Sequence, residues 1–270
     1  MNQDWLFLSK NNKDEYINML AASAGIEPTD SDYFDFHYDI EVDKKKLVLR
    51  GILKHKIMQK CWQGAHDFWY IDSGYAGNNV SPTNPRGIKI YHRIVKNNLQ
   101  HKEIQQRPAD RWSKLGIILQ PRRHGRRIIV AAPDEKPCRF YGIDQAQWID
   151  DTVTQIRQLT DRPVEVRQRS PKRIDRVATA PLSQELVNDV HALVTFNSVA
   201  AVEAIFAGVP AFVLAPVHVA APVANTTLDS IEDPAWADQD LLDAWCHSMA
   251  YGQYHVKELR NGTAFRMMQE

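Results

Sequence analysis

The chain comprises 270 residues, 44% of them hydrophobic and 24% charged, and its 33 basic and 33 acidic side chains cancel to a net charge of zero. Those values predict an ordinary globular protein, long enough for one large domain or two of modest size. No run of about 18 apolar residues occurs, which excludes a membrane-spanning helix, and the three scattered cysteines, Cys61, Cys138 and Cys246, argue against a disulfide scaffold or a Cys-rich zinc site and point to a reducing cytoplasm.

The first residues, MNQDWLFLSKNNKDE, have no basic stretch ahead of an apolar run, so no secretory leader is expected. Trp5–Leu8 reads as a first strand, followed by a turn at Ser9 and a helix within 10–22. The acidic stretch 27–43 is loop-like with aromatic insertions. Residues 47–52 suit a strand or the entry to a helix, with Ile57, Met58, Cys61 and Trp62 on one helical face. Residues 67–72, DFWYID, read as a buried strand ending in Asp72, and the loop after it is dense in Gly, Asn, Ser and Pro. Residues 88–95 alternate as a half-buried strand would.

Charge is unevenly spread. Lys and Arg exceed Asp and Glu by about 13 in residues 41–130, while acidic residues are in excess by about 6 in 1–40 and about 8 in 181–270. The basic block ends in QPRRHGRR (120–127), read as a linker into a second lobe. An anionic partner, either a sugar nucleotide, a polyanionic acceptor or DNA, would suit such a block, and so would a solvated surface.

Beyond the linker the rhythm is clearer. Strands are expected at 127–133, 163–169, 191–196 and 209–215, and helices at 144–160, 182–190 and 197–208, the last closed by Gly208. Alternating strands and helices imply a parallel sheet covered on both faces. The segment 235–268 is helix-prone. The expected layout is an acceptor-side lobe over 1–120, a nucleotide-sugar-binding lobe over 121–234 and a C-terminal helical segment over 235–270 packing back on the lobes.

The densest signal is DVHALVTFNSVAAVEAIFAGVPAFVLAP (189–216). A strand runs into a polar turn at Asn197-Ser198, then into a small-residue helix, then through Gly208-Val209-Pro210 into another strand. Free N–H groups and the positive end of the helix dipole favour a phosphate at such a turn. Ser198 offers a hydroxyl, and Glu203 a carboxylate for ribose or sugar hydroxyls. Asn197, Ser198, Glu203, Gly208 and Pro210 together resemble the C-terminal nucleotide-sugar domain of GT-B glycosyltransferases. FWYIDSGYAGN (68–78) resembles, more weakly, a loop in the acceptor half of capsule-type and phage-encoded sugar transferases. The resemblance implies an α/β fold of two Rossmann-like lobes with a compact N-terminal lobe.

It also implies sugar transfer from a nucleotide-sugar co-substrate, with no separate cofactor and no metal. Asp72 is then the expected base that takes the acceptor proton, with His66, Asp67 and His92 as alternatives. Arg122, Arg123, Arg126 and Arg127 of the linker, with Lys172 and Arg173, are the expected holders of the diphosphate. Two acceptors are open: a cell-surface glycan intermediate, or a hydroxymethylated base in DNA as in phage base-modifying enzymes, which places the protein in the host cytoplasm. Trp62, Trp69, Tyr70, Tyr75, Tyr91 and Trp112 suit base stacking in the DNA case. An epimerase using His191 and His218, or a non-catalytic nucleotide-sugar-binding protein, are the alternatives of a different class.

Overall fold

The computed structural model describes residues 4–31, 45–51, 56–63, 67–79, 84, 88–168 and 182–270. In chain order the elements are β1 (Trp5–Phe7), α1 (Glu15–Ser23), β2 (Lys46–Arg50), α2 (Lys56–Trp62), β3 (Phe68–Ser73), β4 (Tyr91–Lys96), α3 (Asp110–Leu115), β5 (Arg127–Ala131), α4 (Glu135–Tyr141), α5 (Gln145–Leu159), β6 (Val164–Arg167), α6 (Leu182–Leu186), β7 (Val190–Thr195), α7 (Ala200–Phe206), β8 (Ala211–Val213), α8 (Gln239–Tyr251), β9 (Gln253–His255), α9 (Val256–Arg260) and α10 (Thr263–Gln269). They form two compact units, Met1–His101 with Met249–Glu270, and Lys102–Ser248.

The first unit is built on a sheet of order β1-β2-β3-β4-β9. Strands β1 to β3 are parallel, β4 runs antiparallel to β3, and β9 antiparallel to β4. The sheet is therefore mixed, and the expected Rossmann-like arrangement of this lobe is corrected to that extent. Helix α1 starts where the Asp14 side chain accepts from the Ile17 amide, and it buries Ile17, Leu20 and Ala21 at helical spacing. These pack with Trp5, Phe7, Trp69 and Ile94 and with Leu259 and Phe265 from the C-terminal helices. Full burial of such side chains is worth about 1.5–3 kcal/mol each, so the end of the chain is part of this unit's core.

Strand β4 begins at Tyr91 rather than Ile88, which is 52% exposed, and its residues His92–Val95 are all buried. The alternation expected for 88–95 is absent because β4 lies between β3 and β9. A central strand covered on both faces loses its polar side.

The second unit carries an all-parallel sheet of order β6-β5-β7-β8. Ile156 of α5, with Trp148 and Val153, packs on Ile128, Val130 and Val194. Helix α6 ends at Leu186, short of the expected 190, and Asp189 adopts a left-handed conformation before β7. Helix α4, over Glu135–Tyr141, has no counterpart in the sequence reading. Gly208 sits at φ +78°, and a Cβ there would overlap the Pro121 carbonyl oxygen, so only glycine fits.

The division between the units falls after His101 rather than near 120, and the segment 235–270 is shared between them. The crossing stretch belongs to the second unit because it is fastened there. The Trp112 and Phe206 rings lie 5.4 Å apart, the Gln120 amide donates to the Phe206 carbonyl, and the Arg123 amide donates to the Gly208 carbonyl.

Candidate functional site

In the first unit, Asp72 occupies the carboxyl end of β3 in register with Arg93 of β4. Its carboxylate accepts from the Tyr70 hydroxyl at 2.8 Å, from the Ser73 amide at 2.8 Å and from Arg93 Nη2 at 3.2 Å. The Arg93 guanidinium is itself pinned, Nε to the Leu99 carbonyl and Nη1 to the Ser73 carbonyl. Burial pushes the Asp72 carboxyl upward, but Arg93, the Ser73 amide and Tyr70 outweigh it and hold the group below the usual aspartate value. With 37% of its side chain exposed, Asp72 is an ionised carboxylate that a ligand can reach.

The glycine-containing loop after Asp72 is held from the far end of the sequence. The Gln253 Oε1 atom on β9 accepts from the Tyr75 and Ala76 amides, at 2.7 and 3.0 Å. Asn78 Oδ1 accepts from the Ile90 and Tyr91 amides. Gln253 was not anticipated from sequence, since β9 has only three residues and carries no readable period.

The alternative bases fare differently. Asp67 sits at the other end of β3 from Asp72, bonded to Asn97 Nδ2 at 2.7 Å. His92 is fully buried, and burial, with Arg50 beside it, lowers its imidazole to about 4, so it is neutral and a poor proton acceptor at pH 7. His66 lies outside the described residues.

In the second unit, β5 leads outward to β6, and the chain returns across β5 to β7 and then β8. The order of strands therefore reverses between β5 and β7, and ligands of open parallel sheets bind beyond the carboxyl ends of the strands at such a point. The two strand ends are tied by the Thr195 hydroxyl, which donates to the Ala131 carbonyl at 2.8 Å. Asn197 and Ser198 follow directly, both half-buried. The Ser198 hydroxyl accepts from the Ala200 amide and its carbonyl from the Ala201 amide, so the turn satisfies two of the amides expected to face a ligand. Buried Ala200, Ala201 and Ala204 set α7 close to the sheet, and Glu203 is half-buried on the same helix.

His218, after β8, is buried. Its Nδ1 accepts from the Ala220 amide, so Nε2 bears the proton and donates to the Ser198 carbonyl at 3.0 Å. His191 lies at the amino end of β7 with Nε2 2.8 Å from the Ile231 carbonyl. The two are at opposite ends of the sheet and engaged with backbone, which removes them as an epimerase acid–base pair.

The linker arginines require a correction. Arg126 and Arg127 enter the amino end of β5, with Arg126 bonded to Asp189 and Arg127 to Glu165. Arg122 donates to the Pro234 carbonyl, and the Arg123 amide reaches Gly208 ahead of β8. A five-residue strand is about 17 Å long, so Arg126 and Arg127 lie at the sheet edge remote from the Asn197-Ser198 turn and cannot hold a phosphate there. Arg122, tied to the turn after Asp233, is likewise committed within the fold. Lys172 and Arg173 lie outside the described residues. The stacking set is corrected too, since Trp69, Tyr70 and Tyr75 are buried core residues. Among the described residues no group of three or more His, Cys, Asp or Glu side chains is placed to hold a metal, and no helix is long and apolar enough to cross a membrane.

These two α/β units, one with a strand-order reversal beside a polar turn, have a fold similar to that of two solved glycosyltransferase structures. Among solved structures the chain is similar to the beta Kdo 2,4 transferase of KpsC from Thermosulfurimonas dismutans, with a TM-score of 0.53 and 10% identity over 92% of this chain and 90% of that one. It is also similar to the beta Kdo 2,7 transferase of the same organism's KpsC, with a TM-score of 0.52 and 9% identity over 97% of this chain and 99% of that one. No protein-family model and no curated protein matches the sequence.

Proposed function

We propose that the chain is a GT-B-type glycosyltransferase that moves a sugar, without a metal, from a nucleotide-sugar donor to a hydroxyl of a surface-polysaccharide glycan. The likeness in fold to two Kdo transferases along nearly the whole chain is the observation that carries this reading. Asn197, Ser198 and Glu203 are the proposed donor residues, because they stand where the strand order reverses. Lys172 and Arg173 are the proposed phosphate holders.

Asp72 is the proposed base. Its low basicity suits a carboxylate that stays ionised and takes the acceptor proton only as the new C–O bond makes that hydroxyl acidic. A DNA base as acceptor has less support, because Arg122, Arg126 and Arg127 of the linker are paired with acidic residues or backbone and three of the expected stacking rings are core.

A thermal-shift panel of nucleotide sugars, including activated Kdo, followed by mass spectrometry of glycan acceptors, tests the proposal. A ligand at about 100 times its dissociation constant stabilises by about 2.7 kcal/mol, so a true donor raises the melting temperature visibly. Absence of any shift across the panel overturns the reading; a shift without transfer or hydrolysis identifies a non-catalytic binder.

A further inference from the structure

The two oxygens of the Asp72 carboxylate are held unequally. Tyr70 and Asp72 are two residues apart on β3 and share a face, and Arg93 stands opposite Asp72 on β4. Among the described residues Oδ2 accepts from two donors, the Tyr70 hydroxyl at 2.8 Å and Arg93 Nη2 at 3.2 Å. Oδ1 accepts from one, the Ser73 amide at 2.8 Å. A carboxylate oxygen offers two lone pairs, so Oδ2 is filled and Oδ1 keeps one.

The donors on Oδ2 are fixed. Arg93 is anchored through its other two nitrogens to the Leu99 and Ser73 carbonyls. Tyr70 lies on a strand between β2 and β4 and is 1% exposed, so its packed ring sets where the hydroxyl points. Burial, and then Asp72 beside it, push the phenol well above its ordinary value, so it keeps its proton and donates. A proton arriving at Oδ2 would have to displace one of these donors, whereas at Oδ1 it meets an open lone pair. The side chain of Asp72 is 37% exposed, so a ligand can approach the carboxylate.

We propose that Oδ1 is the reacting oxygen of Asp72 and that Tyr70 is a positioning residue, which with Arg93 occupies Oδ2 and leaves Oδ1 for the ligand. What Oδ1 receives rests on the transferase reading, whereas the hold on the carboxylate does not. In the transfer step the acceptor hydroxyl donates to Oδ1. Its oxygen uses a lone pair to form the bond to the anomeric carbon, and the bond from that carbon to the phosphate oxygen breaks with its electron pair leaving on the nucleotide. The hydroxyl proton passes to Oδ1.

Tyr70→Phe tests this, because it keeps the ring in the core and removes only the hydroxyl. In a steady-state transfer assay on the full chain it is expected to lower kcat about tenfold, with the donor KM unchanged. The acid limb of the pH profile should move up by about one pH unit, since a donor that favours the ionised carboxylate is lost. Tyr70 acts only through Asp72, so the same substitution added to Asp72→Asn should cost no more than about twofold further. Carbon-13 NMR of the full chain labelled at its aspartate carboxyl carbons, with Asp72 assigned by its loss in Asp72→Asn, reads the hold with no substrate present. The Asp72 titration midpoint should rise by about one pH unit in Tyr70→Phe. An unmoved midpoint overturns the proposal, as does an equal loss of kcat from Tyr70→Phe in both backgrounds. A midpoint that rises in a chain that transfers no sugar from any donor upholds the hold of Tyr70 on Asp72 and sinks the transferase reading instead.

Discussion

Arg93 holds Asp72 from the neighbouring strand at 3.2 Å while its two remaining nitrogens are bound to the Leu99 and Ser73 carbonyls. All three guanidinium nitrogens are thus committed, and the carboxylate is fixed in direction as well as in charge. A side chain placed this way is prepared for a ligand before the ligand arrives.

The first prediction concerns that carboxylate. Asp72→Asn keeps an acceptor for Tyr70 and Arg93 but removes the charge. Turnover with whichever nucleotide sugar the panel identifies should fall by roughly 10²–10⁴-fold, with the melting temperature shifted by a few degrees at most. A steady-state transfer assay beside a thermal melt checks both halves, and unchanged turnover removes Asp72 from the chemistry.

Stability should decline on acidification. Burial lowers His92 and His101 to about 4 in the folded protein, against about 6.5 unfolded. The unfolded chain therefore binds protons first, and the contribution of both residues is present above pH 6.5 and lost as pH falls toward 4. Each is worth on the order of 3 kcal/mol across that window. Asp72, also held low, adds a loss that begins only below the ordinary aspartate range. Urea unfolding at pH 7 and pH 4.5 measures the drop, and His92→Phe should reduce it substantially.

The end of the chain should behave as core. Phe265→Ala removes a ring packed 5.1 Å from Trp5 and 6.0 Å from Phe7. Denaturant unfolding should show a loss of about 3–5 kcal/mol, far more than a peripheral tail would give.

Position in the second unit separates two groups of proposed ligand residues. Ser198→Ala should weaken the thermal shift given by a donor and cost about 0.5–2 kcal/mol through the lost bond to the Ala200 amide. Arg126→Ala should leave the donor shift intact, because its side chain is exposed and paired with Asp189 at the other edge of the sheet, where such pairs contribute about 0–1 kcal/mol. Equal loss of the donor shift in both variants would contradict this placement.

The alternation of strands and helices from Arg127 to Val213 was legible in the sequence, as was a buried strand ending at Asp72, because local periodicity and turn chemistry act over a few residues. Tertiary structure alone decided which distant segments meet. Gln253 clamps the loop after Asp72 through a strand too short to show a period, Arg93 meets Asp72 by strand pairing, and the C-terminal helices complete a core begun by Trp5. The arginine run shows the physical reason most plainly. Composition counts charges, but which edge of a parallel sheet they reach depends on strand direction, and acidic partners such as Asp189 and Glu165, near in space and remote in sequence, determine whether those charges are available to a ligand.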